Sequence, residues 1–227
     1  MRSVLVLAIL AASLCTSIRA SDAAPQSMVL IDRVLAAAEQ DVPDLTMLTT
    51  EPVERTESSG YGWREDPINK HAKFHHGTDY RGKRGSPVLA AGTGTVIFAG
   101  RRGGYGRVVF IDHGNGVITR YAHLDRIDVK VGDTLTAGMQ LGKLGSSGRT
   151  TGAHLHFEVR LQGRSVDPNT AMIVADIMRE NAAAGRIAAY ALAPELQEHS
   201  RDAESPSIRV PSRPERASRT KRQQVLW

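Results

Sequence analysis

Cysteine is almost missing from this sequence: among 227 residues, Cys15 is the one thiol. If the N-terminal segment that holds it is removed, the mature chain has none. Disulfides and thiolate metal ligands are then excluded, and His, Asp and Glu are left for any metal. Aromatic residues are sparse at 5%, so a core must be built mostly from Val, Ile, Leu and Ala. Long hydrophobic runs are missing too. Met1-Arg2 leads into the uncharged stretch Ser3 to Ile18, which falls short of the roughly 20 apolar residues of a membrane span. It fits the apolar part of a signal peptide ending near Ala20, with Ile18 larger than the small residue preferred three positions before a cut. Leu14 directly before Cys15 argues against a lipoprotein anchor. No His-Glu-x-x-His helix occurs, which excludes the more familiar zinc-protease arrangement. No motif that reads RNA or DNA accompanies the net charge of +5, and its basic residues are dispersed, so nucleic acid is not expected as a partner. A solvated basic surface and contact with an anionic polymer or membrane both remain open.

A hydrophobic fraction of 41% and a charged fraction of 23% are those of a soluble globular chain with room for one ordinary domain plus terminal extras. The 21 glycines crowd between Gly60 and Gly163, as tight turns between short strands would require. The sequence reads as a signal peptide (1–20), an N-terminal helix and linker (21–56), a glycine-rich β domain (57–170), a helical extension (171–194) and a disordered basic tail (195–227). Leu30, Ile31, Val34, Leu35 and Ala38 follow helical spacing behind Ser27 as N-cap. Strands are expected at Pro87–Ala91, Thr95–Ala99, Arg107–Asp112, Val117–Ala122 and His154–Leu161, with a hairpin turn at Asn115-Gly116. Lys143-Leu144 is a weaker strand signal. Asn169 to Ala184 reads as a helix with Ile173, Ile177 and Met178 on one side. The fold class expected is mainly β: a compact antiparallel domain flanked by short helices.

Eight histidines are present, and three clusters matter. In His154-Leu155-His156 strand alternation puts both imidazoles on one face and Leu155, Phe157 and Val159 on the other. A pair of surface histidines would read the same way. In His75-His76-Gly77-Thr78-Asp79 the glycine lets the backbone turn sharply and bring His75 and Asp79 to one point; a solvated loop is the alternative. His123, in Tyr121-Ala122-His123-Leu124, closes an apolar segment and reads equally as a core histidine. Taken together they describe one site, with two or three metal ligands and spare histidines for acid–base work.

The blocks Gly62-Trp63-Arg64-Glu65-Asp66-Pro67, His75-His76-Gly77-Thr78-Asp79, Gly85-Ser86-Pro87-Val88-Leu89-Ala90, Tyr121-Ala122-His123-Leu124, Gly145 to Arg160 and Val166-Asp167-Pro168 occur in the order found in one family. From about Gly60 to Pro168 the chain closely resembles the catalytic domain of the lysostaphin/LytM-type zinc endopeptidases, the M23 peptidases. That resemblance implies the fold of this type, one zinc ion held by His75, Asp79 and His156, and His123 and His154 as non-ligand catalytic histidines. It implies hydrolysis of amide bonds in the stems or cross-links of bacterial peptidoglycan, by an exported protein of the periplasm or cell envelope. The alternative is a non-catalytic relative that activates cell-wall amidases. His76 fills a variable position and is left out of the site; His71, His113 and His199 match no functional position. Arg64 is a candidate for holding the loop or the substrate, and the basic tail for weak contact with anionic polymer or membrane.

Overall fold

The computed structural model describes residues 43–54, 56–189 and 192. The signal segment, the expected N-terminal helix and the basic tail lie outside the described residues. The chain is mainly antiparallel β, as expected. Among the described residues thirteen strands run as β1 (Glu57–Ser59), β2 (Gly62–Glu65), β3 (Ala72–His75), β4 (Thr78–Arg81), β5 (Pro87–Leu89), β6 (Gly94–Arg102), β7 (Gly106–Asp112), β8 (Val117–Leu124), β9 (Arg126–Ile127), β10 (Thr134–Leu135), β11 (Gln140–Lys143), β12 (His154–Leu161) and β13 (Arg164–Val166). Helix α1 (Pro168–Glu180) follows, and residues 182–189 are helical as well.

The main sheet has eight strands, ordered β1-β4-β12-β8-β7-β6-β10 with β13 beside β12. A smaller sheet, β5-β11-β9, and the β2–β3 hairpin stand apart from it. β12 sits centrally between β4 and β8, antiparallel to both. Its alternation is kept along its length: Leu155, Phe157 and Val159 are fully buried in the core with Tyr80 and Tyr121. His154, His156 and Glu158 therefore share the other face.

The core extends past the segment from 57 to 170. Leu45 and Leu48, in the stretch read as a linker, are wholly buried. Leu48 bridges to Gly92, and the amides of Thr49 and Thr50 both donate to Ala91 O. Arg179 Nη1 donates to Leu48 O at 2.7 Å, tying this segment to α1. Asp167 caps α1 by accepting from Asn169 N at 3.1 Å and Thr170 Oγ1 at 2.9 Å, with Pro168 at the first helical turn. The packed stripe of α1 is Ala171, Val174, Ala175 and Met178, while Ile173 is 39% exposed. Of the side expected at Ile173, Ile177 and Met178, Met178 packs inward, Ile177 is half-buried and Ile173 turns outward, while Ala171 and Ala175 let the helix approach the core closely.

Folding of the 45–53 segment with the domain gives a test. Leu48→Ala should cost ~2–5 kcal/mol in urea denaturation, the usual range for a leucine removed from a packed core. Ile173→Ala should stay within about 0.5 kcal/mol of wild type. Equal behaviour of the two would show that the segment is not part of the cooperative unit.

Candidate metal centre

The sheet register puts the expected site together. Asp79 on β4 lies directly across from His156 on β12, and His75 ends β3 four residues earlier. His75 and Asp79 stand on two successive strands joined by a sharp turn at His76-Gly77, and not in the solvated loop that was the alternative. Gly77 between them is needed for a reason other than its turn. A Cβ there would sit 2.3 Å from Phe157 O and 3.0 Å from His156 Cε1, so only a bare backbone lets β4 come this close to β12.

His75 Nε2, Asp79 Oδ1 and His156 Nδ1 converge: the three separations are 3.1, 3.0 and 2.8 Å. Ligands about 2.0–2.2 Å from a tetrahedral zinc lie roughly 3.3–3.5 Å apart, so a small outward shift seats an ion. All three residues are buried, and together they could hold a metal ion. The electrostatics fit a cation. Burial raises the Asp79 pKa, yet hydrogen bonds with His156 and His75 outweigh it and hold the carboxyl well below the usual range. Burial likewise opposes charge on His156, but Asp79 and Glu158 more than reverse it and push its pKa up to about 9. Arg64 Nη2 lies 3.6 Å from the other Asp79 oxygen, which places this arginine at the cluster.

His123 and His154 stand beside the three, with ring centroids 4.8 Å apart. His123 has φ 61°, a left-handed conformation at the end of β8 that few residues other than glycine adopt. Its Nδ1–H donates to Ser147 O at 2.8 Å, and Ser147 is itself fixed: its Oγ accepts from Arg107 N at 2.8 Å and donates to Leu124 O at 2.7 Å. Burial pushes the His123 pKa down to about 4, so the ring is neutral near pH 7. His154 Nδ1–H donates to Gly152 O at 3.0 Å, and its Nε2 lies 3.8 Å from Asp79 Oδ1. Both rings thus keep Nε2 bare, by tautomers assigned from these bonds. His76 bonds Ser165 Oγ, and His113 lies between Thr93 O and Thr119 Oγ1, away from the cluster.

Two residues at the site were not anticipated. Glu158, wholly buried, accepts from His156 Nε2 at 3.1 Å and from Tyr105 Oη at 2.6 Å. The alternation that pairs His154 with His156 continues to Glu158, so an acidic residue on the histidine face was a readable signal. Tyr105, in the short helical turn Gly103–Tyr105, carries no such pattern.

The cluster opens into a cleft of about 310 Å³, bounded by the β2–β3 hairpin and the Arg149–Thr151 loop. Arg149 joins these walls, donating to both Asp66 oxygens at 2.7 and 2.9 Å. Those bonds, with the Ile68 amide, hold the Asp66 carboxyl well below the usual range. A depressed carboxylate stabilises the fold above its unfolded pKa of about 4 and loses that contribution as pH falls. Thermal midpoints between about pH 5 and pH 2 should therefore drop less for Asp66→Asn than for wild type. An equal drop would show that the clamp contributes nothing to stability.

Comparison with known proteins agrees with this geometry. Residues 73–168 match the model of peptidase family M23. The DD-carboxypeptidase/endopeptidase Mpg of Neisseria meningitidis serogroup B is 45% identical over 111 residues, 49% of this chain and 26% of that protein. The peptidoglycan DD-endopeptidase ShyA of Vibrio cholerae is 40% identical over 110 residues, 48% of this chain and 26% of that protein. The chain thus spans about a quarter of the length of these relatives. The solved catalytic domain of lysostaphin from Staphylococcus simulans is 31% identical, covering 52% of this chain and 92% of the domain, with a TM-score of 0.48. By this family match residues 73–168 form a domain of peptidase family M23.

Proposed function

We propose that the protein is a zinc-dependent endopeptidase that hydrolyses amide bonds in the peptide stems or cross-links of bacterial peptidoglycan. One observation carries the reading: His75, Asp79 and His156 converge at the floor of an open cleft, with two further imidazoles beside them. The donor set is that of a catalytic site, where three protein ligands leave a position for water or substrate. Bound there, zinc would supply Lewis acidity, polarising a carbonyl and making water acidic enough to react near neutral pH.

The chain's own residues do the rest. His123 and His154 present bare Nε2 atoms toward the cleft, so each first acts as a proton acceptor. The ring that takes the water's proton then becomes a donor, able to stabilise charge on the former carbonyl oxygen or protonate the leaving amine. Backbone carbonyls at Nδ1 fix both ring orientations before substrate arrives. The β2–β3 hairpin and the Arg149 loop wall the cleft, leaving room for an extended peptide. The name of ShyA, a peptidoglycan DD-endopeptidase, supports a peptidoglycan substrate, and both its name and that of Mpg support a DD bond. A regulator that activates amidases would need neither the three ligands nor the two histidines. Their joint presence favours catalysis.

Location and tail belong to the same proposal. Among the described residues no helix is long and apolar enough to cross a membrane. Residues 1–20 act as an export signal that delivers the chain to the periplasm or envelope, and residues 195–227 contact anionic polymer or lipid. Unchanged sacculus and lipid binding after deletion of Pro206 to Trp227 would remove the tail's part.

Digestion of cross-linked peptidoglycan by the zinc-loaded protein, read by mass spectrometry, is the direct test. Wild type should release new peptide ends, and His156→Ala none. His123→Ala should keep its zinc and lose about 10²–10⁴-fold in turnover, the usual share of a general acid–base. Loss of metal in that variant would sink the role assigned to His123. A folded, zinc-containing wild type that cuts nothing would sink the enzyme reading.

A further inference from the structure

The two imidazoles at the cluster approach it through different nitrogens. His75 offers Nε2, and its Nδ1–H donates to Gly60 O at 2.7 Å. His156 offers Nδ1, and its Nε2 lies 3.1 Å from Glu158 Oε1. An imidazole nitrogen can ligate only through a lone pair, so in the neutral ring the proton must sit on the other nitrogen. For His75 a backbone carbonyl receives that proton. For His156 the receiver is a carboxylate.

Glu158 is built in with unusual completeness. It has no exposed surface. Oε1 accepts from His156 and from Tyr105 Oη at 2.6 Å, while Oε2 accepts from Arg120 Nη1 at 3.3 Å and Arg160 Nη1 at 3.1 Å. A buried charge is costly, and an apolar side chain of similar volume fills such a space more cheaply. Two guanidiniums and a phenol satisfy three of its four contacts, and the fourth is His156. We propose that Glu158 is a positioning residue that holds His156 in its Nε2–H tautomer, presents Nδ1 to the metal and strengthens it as a ligand through the adjacent negative charge. The inference rests on the reading of His156 as a ligand under Proposed function.

The test is zinc affinity, measured by competition with a chromophoric chelator on the full mature chain, with circular dichroism to check folding. Glu158→Leu removes the acceptor and should weaken zinc binding by about 10–100-fold, the usual effect of losing the partner of a ligating histidine. Glu158→Gln keeps an acceptor without the charge, and its amide group turns a donor toward Arg120 and Arg160; it should fall between, at about tenfold. Nitrogen-15 NMR of the histidines in zinc-loaded wild type needs no variant and should show a protonated, exchange-protected Nε2 on His156. Folded variants that bind zinc within about twofold of wild type would overturn the role of Glu158 and leave the proposed function standing. A proton on Nδ1 of His156 in the zinc-loaded wild type would overturn it as well, whether or not the leucine variant folds. Failure of wild type to bind zinc would overturn both readings.

Discussion

The register of β12 against β4 is the constraint on which the rest of the structure depends. It sets His156 opposite Asp79 and, in the same step, turns Leu155 and Phe157 into the core. Side chains alternate with a period of two, so a slip by one residue would move every member of this set to the wrong face. His156 would enter the core and two large apolar side chains would line the cleft. The energy that fixes the register comes from burial of Leu155, Phe157, Val159 and Leu161. The three donor atoms are therefore brought together by the packing of the hydrophobic core. Gly77 is part of the same constraint, since the close approach of β4 to β12 leaves no space for a side chain there.

Around this rigid sheet the walls of the cleft are held by polar links that come from far along the chain. The β2–β3 hairpin pairs only with itself in the sheet sense. It is tied down by Arg149 to Asp66, by the Tyr61 hydroxyl donating to Ser165 O at 2.7 Å, and by His75 donating to Gly60 O. Tyr61 reaches β13, Arg149 holds the turn that follows β2, and Gly60 fixes the end of β3, so the hairpin has one seat. Trp63 and Ile68 on it remain 63% and 50% exposed. The division is common in enzymes: precise donor atoms on strands, adaptable contact surface on the connections.

Much of this was legible in the sequence where one physical period ruled. The long strands β7, β8 and β12 were read within two residues because their alternation and the Asn115-Gly116 turn are local signals. The three converging residues were legible as types at the right spacing, helped by the family resemblance. Short strands such as β2 and β3 were not, since Trp63, Arg64, Lys73 and Phe74 show no clean alternation and the hairpin is held by distant partners. Leu45 and Leu48 were missed for the same reason: two leucines beside prolines look like a linker until Arg179 is seen to bond Leu48 O and Ala91 O to accept from Thr49 and Thr50. In α1 the stripe that packs is set by the sheet beneath it, and small alanines won over the larger isoleucines.

The charge arrangement explains how so polar a site survives under a β-sheet. His75, Asp79, His123, His156 and Glu158 are all buried, and none would be tolerated there alone. They are acceptable because each bond hands its charge to the next. Arg120 and Arg160 hold Glu158, Glu158 faces His156, His156 and His75 face Asp79, and Arg64 stands behind Asp79. At one end this chain closes on two guanidiniums; at the other it opens toward the cleft with two histidine nitrogens and a carboxylate oxygen aimed at one point. Against burial, His156 first and then Tyr105 and Arg120 keep Glu158 ionised, and the guanidiniums hold it without competing for that point, while Asp79 is left with its charge where a metal would sit. The polar chain thus runs from permanent positive charge to a place that needs one, and the direction of its hydrogen bonds makes the floor of the cleft the natural seat for a divalent ion.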